Sequence, residues 1–309
     1  MKPPSEFPIP VHPGRPADAA EPWYAEPQEP LEGIGDVVLV ASGKGGVGKS
    51  TVTVNLACAL NGLGKRVGIL DADLYGPSIA RMLGTGGELP VNAEGRTLPA
   101  RNHGVWAASI ANRLPPEAGL VCKGPLVAQT LVQMFRDLAW PALDVLLVDM
   151  PPGTGDVALT ILEQIPLAGA LLVTTPQRMS LVDAARGVAL LHDLDIPVFG
   201  LVENMDRYIC PCCGEAQTLF PPGGADALAA RKHVRYLGGI PLDPQGQGCA
   251  DRGEPLLVSR PTGAVASAFA KLAGEVEAAL QRERAFRRRE TDPRARAAHE
   301  HFWETLLDD

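Results

Sequence analysis

The sequence predicts an α/β chain with a doubly wound, mainly parallel sheet and helices on both faces. Short runs that are apolar throughout, rather than alternating, recur along the chain and fit strands covered on both sides. Segments with helical spacing separate them, as parallel strands require. Glycine-rich or acidic stretches come after several of the runs, and ligands of such sheets bind beyond the carboxyl ends of the strands.

Length and composition set the frame. A chain of 309 residues, 46% hydrophobic, can bury a substantial core. One domain over residues 36–280 between two tails is expected. The formal net charge of -8 argues against a general nucleic-acid binder acting through phosphate neutralisation. No run approaches the roughly 20 apolar residues of a membrane span, and acids and prolines stand where a signal peptide would be apolar. The expected setting is therefore cytoplasmic, with no nucleic-acid or membrane partner. Six cysteines, three of them clustered, fit a metal or redox site in a reducing compartment better than a disulfide scaffold.

Residues 1–35 carry prolines at 3, 4, 8, 10, 13, 16, 22, 27 and 30 and six acids against two bases. An extended, mobile tail is expected there, with Phe7, Trp23 and Tyr24 as its bulky aromatics. Strands are then expected at Val37 to Val40, Arg66 to Leu70, Val105 to Ser109, Asp144 to Met150, Gly169 to Thr174, Pro197 to Val202 and Val234 to Ile240. A helix is expected over Val52 to Leu60. Another fits Pro125 to Leu138, where Ala128, Leu131, Val132, Phe135 and Leu138 share one face. A last helix, about Thr262 to Arg284, places Val265, Phe269, Leu272, Val276 and Leu280 together. Residues 281–309 are rich in arginine and then acidic, and read as a solvated helical extension.

The stretch Val37 to Thr51 organises the chemistry. It runs strand, glycine loop, helix, and Gly43, four residues, Gly48, Lys49 and Ser50 fit the phosphate-loop frame. Bare backbone N–H groups of Gly43, Lys44, Gly45, Gly46, Val47 and Gly48 can surround a β-phosphate, with the helix N-terminus adding positive partial charge. Lys49 can neutralise β and γ oxygens, Ser50 is placed to ligate Mg²⁺, and Thr51 completes the loop. Asp71 and Asp73 are two carboxylates at i and i+2 on extended chain, so they point the same way beside that loop. Helix N-capping is the duller role for Asp73. Leu146-Leu147-Val148-Asp149 is an apolar strand ending in an acid, the Walker B pattern, with Asp149 holding Mg²⁺ through water. In Pro151 to Asp156 the glycines permit rearrangement, and Asp156 is a natural N-cap for the next helix.

Lys44, a second lysine directly after the first glycine, makes the loop resemble that of the deviant Walker A ATPases. That group includes Mrp/ApbC iron–sulfur carriers, MinD, ParA and nitrogenase iron protein. The resemblance implies an ATP-binding and ATP-hydrolysing homodimer in which Lys44 reaches the neighbour's nucleotide; a solvated loop lysine is the alternative. It assigns Asp71 to the outer Mg²⁺ shell and Asp73 to orienting the attacking water. It places Asn204 against adenine, with Pro241-Leu242-Asp243 as the other wall.

Cys210 and Cys213 form a Cys-x-x-Cys pair, a spacing that lets two thiolates ligate one metal centre. One pair is half a site, and a two-fold dimer would complete it. Asn204-Met205 leading into Cys-Pro-x-Cys-Gly, with Asp-Leu-Tyr-Gly-Pro-Ser at 73–78 and Pro-Pro-Gly-Thr-Gly-Asp at 151–156, resembles the Mrp/ApbC branch over about Asp36 to Leu280. By that resemblance, Cys210 and Cys213 of two subunits bridge a [4Fe–4S] cluster received from an iron–sulfur scaffold and passed to apoproteins. Cys212 fills the branch's variable position, which leaves a 210/212 pairing open. Cys122-Lys123-Gly124-Pro125 stands where relatives often have Trp-Arg-Gly-Pro, and Cys58 reads as a core residue. Two other classes compete: a MinD/ParA-like positioning switch, and a zinc-stabilised ATP-dependent metabolic enzyme.

Overall fold

The computed structural model describes residues 30–112, 124–153, 155–210, 212–221, 224–244 and 246–291. The tail before Pro30, the acidic end after Thr291 and Cys122 lie outside them.

Among the described residues nine strands form one sheet: β1 (Ile34–Ser42), β2 (Val67–Asp71), β3 (Ala100–Asn102), β4 (Val105–Ser109), β5 (Leu143–Asp149), β6 (Gly169–Thr174), β7 (Val198–Ile209), β8 (Ala216–Gln217) and β9 (Tyr236–Leu242). The order is β3-β4-β2-β5-β1-β6-β7-β8, with β9 also on β7. Among these strands β3 on β4 and β8 on β7 pair antiparallel, and the other pairs are parallel. Among the described residues the helices are α1 (Lys49–Gly62), α2 (Ile79–Met82), α3 (Gly124–Asp137), α4 (Asp156–Gln164), α5 (Arg178–Asp193), α6 (Gly224–Arg231), α7 (Gly246–Asp251), α8 (Leu256–Ser259) and α9 (Ala264–Thr291).

The alternation of side chains along each strand feeds two cores. Val38 and Val40 of β1 join α1 and α9 residues such as Leu56, Phe269 and Val276 on one face. Val37 and Leu39 join Leu131, Phe135, Ile161 and Val188 of α3, α4 and α5 on the other. The central strands β1, β2, β5 and β6 are thus apolar on both sides, which is why they do not alternate in sequence.

Two expectations are revised. The strand expected to stop at Val202 continues to Ile209. Its polar residues find partners: Glu203 accepts hydrogen bonds from Tyr236 Oη at 3.2 Å and Ala225 N at 3.4 Å. The helix after the Pro-Pro-Gly loop begins at Asp156 with Gly155 in the capping position and no side-chain cap, so Asp156 is its first residue and not its N-cap.

Candidate functional site

The ends of the parallel strands bring the predicted residues together because strand register decides which residues sit side by side. Asp71 of β2 lies opposite Asp149 of β5 and Ser109 of β4, and Asp149 lies opposite Val40 of β1. Two carboxylates therefore stand in one row beneath the loop that leaves β1.

Asp149 is fully buried and takes three donors. Lys49 Nζ and Ser50 Oγ each donate to Oδ2 at 2.6 Å, and Thr53 Oγ1 donates to Oδ1 at 2.6 Å. Lys49 Nζ also lies 3.8 Å from Asp73 Oδ2. A buried carboxylate needs this kind of compensation, and the donors come from successive turns of α1. Thr53 was not singled out by the sequence. Its signal would have been its position four residues after Lys49, on the same helix face.

Asp71 is also fully buried, and both its oxygens are engaged. Oδ1 accepts from Asp73 N at 3.2 Å; Oδ2 accepts from Ser109 Oγ at 2.9 Å and from Ser78 N and Ile79 N at 3.2 Å. Its carboxyl thus anchors the turn from Asp73 to Ile79. Burial, reinforced by the charge of Asp149, raises its pKa to about 7. Ser109 is a second residue that sequence reasoning did not find, since only the β2–β4 pairing brings it to Asp71. Asp73 is half-buried and raised by burial first, with Lys49 opposing. It does not cap α2, whose capping position is Ser78; its Oδ1 accepts from Gly76 N at 3.2 Å.

The loop itself is held by contacts that demand glycine. Gly46 and Gly48 have φ of 81° and 80°, the left-handed region. A Cβ at Gly43 would run into the backbone of Asp183 on α5, and one at Gly48 would run into the Asn204 amide. Val47 is buried in the core, so the loop is anchored from below. Lys44, Gly45 and Gly46 are exposed. Gly153, at φ 92°, donates its N–H to Ser42 O at 3.0 Å and ties the Pro-Pro-Gly loop to the end of β1.

Asn204 lies at the site but does more than the sequence suggested. Its side chain is buried and Nδ2 donates to Val47 O at 2.9 Å, fastening β7 to the phosphate loop. It lines a cavity of about 490 Å³ with Thr51, Met205, Pro241, Leu242 and Asp243. That cavity adjoins the phosphate loop through Thr51 and has the mixed polar and apolar walls a base needs.

The cysteines sit at the tip of a hairpin. Tyr208 pairs with Gln217 and Ile209 with Ala216; Cys210 N donates to Glu215 O at 3.0 Å and Gly214 N to Cys210 O at 2.8 Å. Gly214, at φ 74°, makes the return possible. Cys212 and Cys213 are exposed and Cys210 is partly so. The Cys210 thiol is lowered from its usual range by hydrogen bonds from the Cys213 and Cys212 N–H groups and from both their thiols. Cys58 and Cys249 are buried, and burial pushes the Cys58 thiol up to about 12.

The chain is similar to known proteins. An iron–sulfur cluster carrier protein of Salmonella typhimurium is 43% identical over 254 residues, covering 82% of this chain and 69% of that one. The iron–sulfur cluster transfer protein NUBPL of Mus musculus is 41% identical over 251 residues, 81% of this chain and 79% of that one. Among solved structures, a nucleotide-binding protein from Archaeoglobus fulgidus in complex with ADP superposes with a TM-score of 0.65 at 36% identity, covering 75% of this chain and 91% of that one. The cell division ATPase MinD of Pyrococcus furiosus superposes at 0.60 with 25% identity, over 79% and 98%. The profile described as ParA, NUBPL iron-transfer P-loop NTPase, matches residues 33–277, which hold the phosphate loop, the carboxylate row and the cysteine hairpin. The chain belongs to that family of P-loop NTPases.

Proposed function

We propose that the chain is an ATP-binding and slowly ATP-hydrolysing homodimer that carries a [4Fe–4S] cluster between a scaffold and recipient apoproteins in the cytoplasm. The observation that carries this reading is the exposed cysteine hairpin on the strand whose Asn204 holds the phosphate loop. The names of its relatives support it.

The nucleotide site fits its ligands. The left-handed glycines present backbone N–H groups where side chains would collide, and Ser50 Oγ beside Asp149 is an oxygen pair suited to a hard cation. When bound, Mg²⁺ supplies charge neutralisation at the phosphates; Ser50 and Asp149 would hold it, with Asp71 fixing the neighbouring turn. Lys49 would move from carboxylate to phosphate oxygens, a like-for-like exchange of anionic partners. Asp73 would orient the attacking water, and the exposed Lys44 would reach the neighbouring subunit's nucleotide.

The cluster is cargo. Cys210 and Cys213 supply two thiolates, and among the described residues no group of three or more His, Cys, Asp or Glu converges as metal ligands. A four-ligand centre then takes its second pair from another copy. Anaerobic reconstitution and iron counting test this. About two iron atoms per chain are expected for a cluster shared by two copies; a Cys210→Ala, Cys213→Ala variant that loads as much iron as wild type ends the proposal. The same hairpin suits a zinc half-site, and stoichiometric zinc in aerobically purified protein would favour that reading.

A further inference from the structure

β7 carries both halves of the site, and it is not a uniform strand between them. Against β9 its register runs Asn204 to Ile240 and then Tyr208 to Leu242, so four steps on β7 match two on β9. The extra residues form a bulge, a feature that bends a strand and re-aims the residues beyond it. Met205 opens it with φ 59°, a left-handed conformation that a side-chain-bearing residue adopts at a cost. Asp206 comes next, bonded to Arg207, with its carboxylate packed where Gly239 has no side chain.

The bulge is gripped at both ends. On the nucleotide side, Asn204 Nδ2 holds Val47 O at 2.9 Å, and Met205 Cε lies 3.6 Å from where a Gly48 Cβ would stand. On the cysteine side, Tyr208 and Ile209 pair with β8 to form the hairpin stem and line a cavity of about 350 Å³ with Leu242, Asp243 and Pro244. Those three residues also wall the cavity that adjoins the phosphate loop. A shift of the phosphate loop therefore meets the hairpin stem by two short routes, one through the strained turn at Met205 and one through Leu242, Asp243 and Pro244 beside it.

We infer that the Asn204–Met205 bulge is a positioning device that sets the cysteine hairpin according to the state of the phosphate loop, with Met205 as its pivot. The inference rests on the nucleotide half of the proposed function and goes beyond it by naming the residues that link the two sites. Met205 touches neither phosphate nor iron in this scheme; it acts through Gly48 on one side and the strand on the other. Strain at one residue held between two packed contacts is how a fold stores two settings of a segment.

The test uses full-length, metal-free protein. Alkylation by N-ethylmaleimide is tracked by mass spectrometry on the peptide bearing Cys210, Cys212 and Cys213, with and without Mg²⁺ and a non-hydrolysable ATP analogue. Binding of a fluorescent ATP analogue is measured in parallel. In wild type, nucleotide should change the alkylation rate about fivefold or more, the low end of ordinary coupling between sites. Met205→Gly removes both the side chain and the φ penalty, and should reduce that change to below about twofold when nucleotide is raised until the fluorescence measurement shows the variant saturated. Met205→Leu, which keeps a side chain against Gly48, should restore most of it. Gly239→Ala, which pushes on Asp206 from β9, should weaken coupling from a position remote from the phosphate loop.

Coupling in Met205→Gly equal to wild type would overturn the inference, as would nucleotide that binds wild type and leaves its alkylation rate unchanged. Either result leaves iron loading, and hence the carrier reading, standing. Wild type that binds no nucleotide would remove the inference together with the ATPase half of the proposed function.

Discussion

At the residue scale, Asp71 and Asp149 are both fully buried carboxylates in one row, and their surroundings separate them. Asp149 has Lys49, whereas Asp71 has a hydroxyl and backbone N–H groups, and burial then raises Asp71 to about 7. An acid raised on folding favours its neutral form in the folded state. The stability it contributes is present in full below the unfolded value of about 4 and is lost as pH climbs through about 7. In metal-free buffer, the urea unfolding free energy should therefore decline between about pH 4 and pH 7, and Asp71→Asn should flatten that decline. Equal slopes in the two proteins would mean that Asp71 titrates normally. The sequence made both acids visible by their places after apolar runs. It could not show that Ser109 and Thr53 complete them, because those hydroxyls arrive from a non-adjacent strand and from a helix turn.

At the element scale, the phosphate loop is a wedge between α1, α5 and β7. Gly43 abuts the backbone of Asp183, whereas Gly46 has open space around it and only its φ of 81° to satisfy. The two glycines should respond differently. Gly43→Ala forces α5 to move, and should cost about 1–3 kcal/mol with a matching fall in melting temperature and loss of ATP binding. Gly46→Ala should cost about 1–2 kcal/mol through backbone strain alone and leave α5 in place. Thermal unfolding of both, with hydrogen exchange across residues 178–193, separates the cases; unaltered exchange in α5 of Gly43→Ala would refute the wedge. Most strands and long helices were legible because a doubly covered sheet needs continuous apolar runs. β7 beyond Val202 was not, since Glu203, Asn204 and Asp206 look like a loop until Tyr236, Val47 and Gly239 are opposite them.

At the scale of the molecule, α9 is tied to the segments that lead into β2 and β9. Lys65 pairs with Glu277 at 2.7 Å and Arg235 with Glu275 at 2.8 Å. The helix then runs through residue 280 to Thr291 without a break; Arg284 Nε bonds the buried Asp36 at 2.6 Å and Arg287 Nη2 bonds Leu167 O at 3.2 Å. The expected solvated extension is thus fastened to β1 over its first turns. Arg284→Ala strands the Asp36 carboxylate and should cost about 1–2 kcal/mol, less than a fully buried pair because Arg284 reaches solvent. Adding Asp36→Asn should recover part of that loss in thermal unfolding, and deletion of residues 281–309 should destabilise at least as much as Arg284→Ala. A deletion variant as stable as wild type would show that the contact contributes nothing. The parallel α/β sheet, the phosphate loop, its acids and the paired cysteines are legible in the chain alone, because each depends on local spacing and on apolar runs a few residues long. Folding was needed to reveal that Asn204 grips the loop, that Ser109 and Thr53 serve the acids, and that a strained bulge stands between the phosphate loop and the thiols. Those contacts join residues far apart in the chain, and register between strands, which no local pattern encodes, is what brings them face to face.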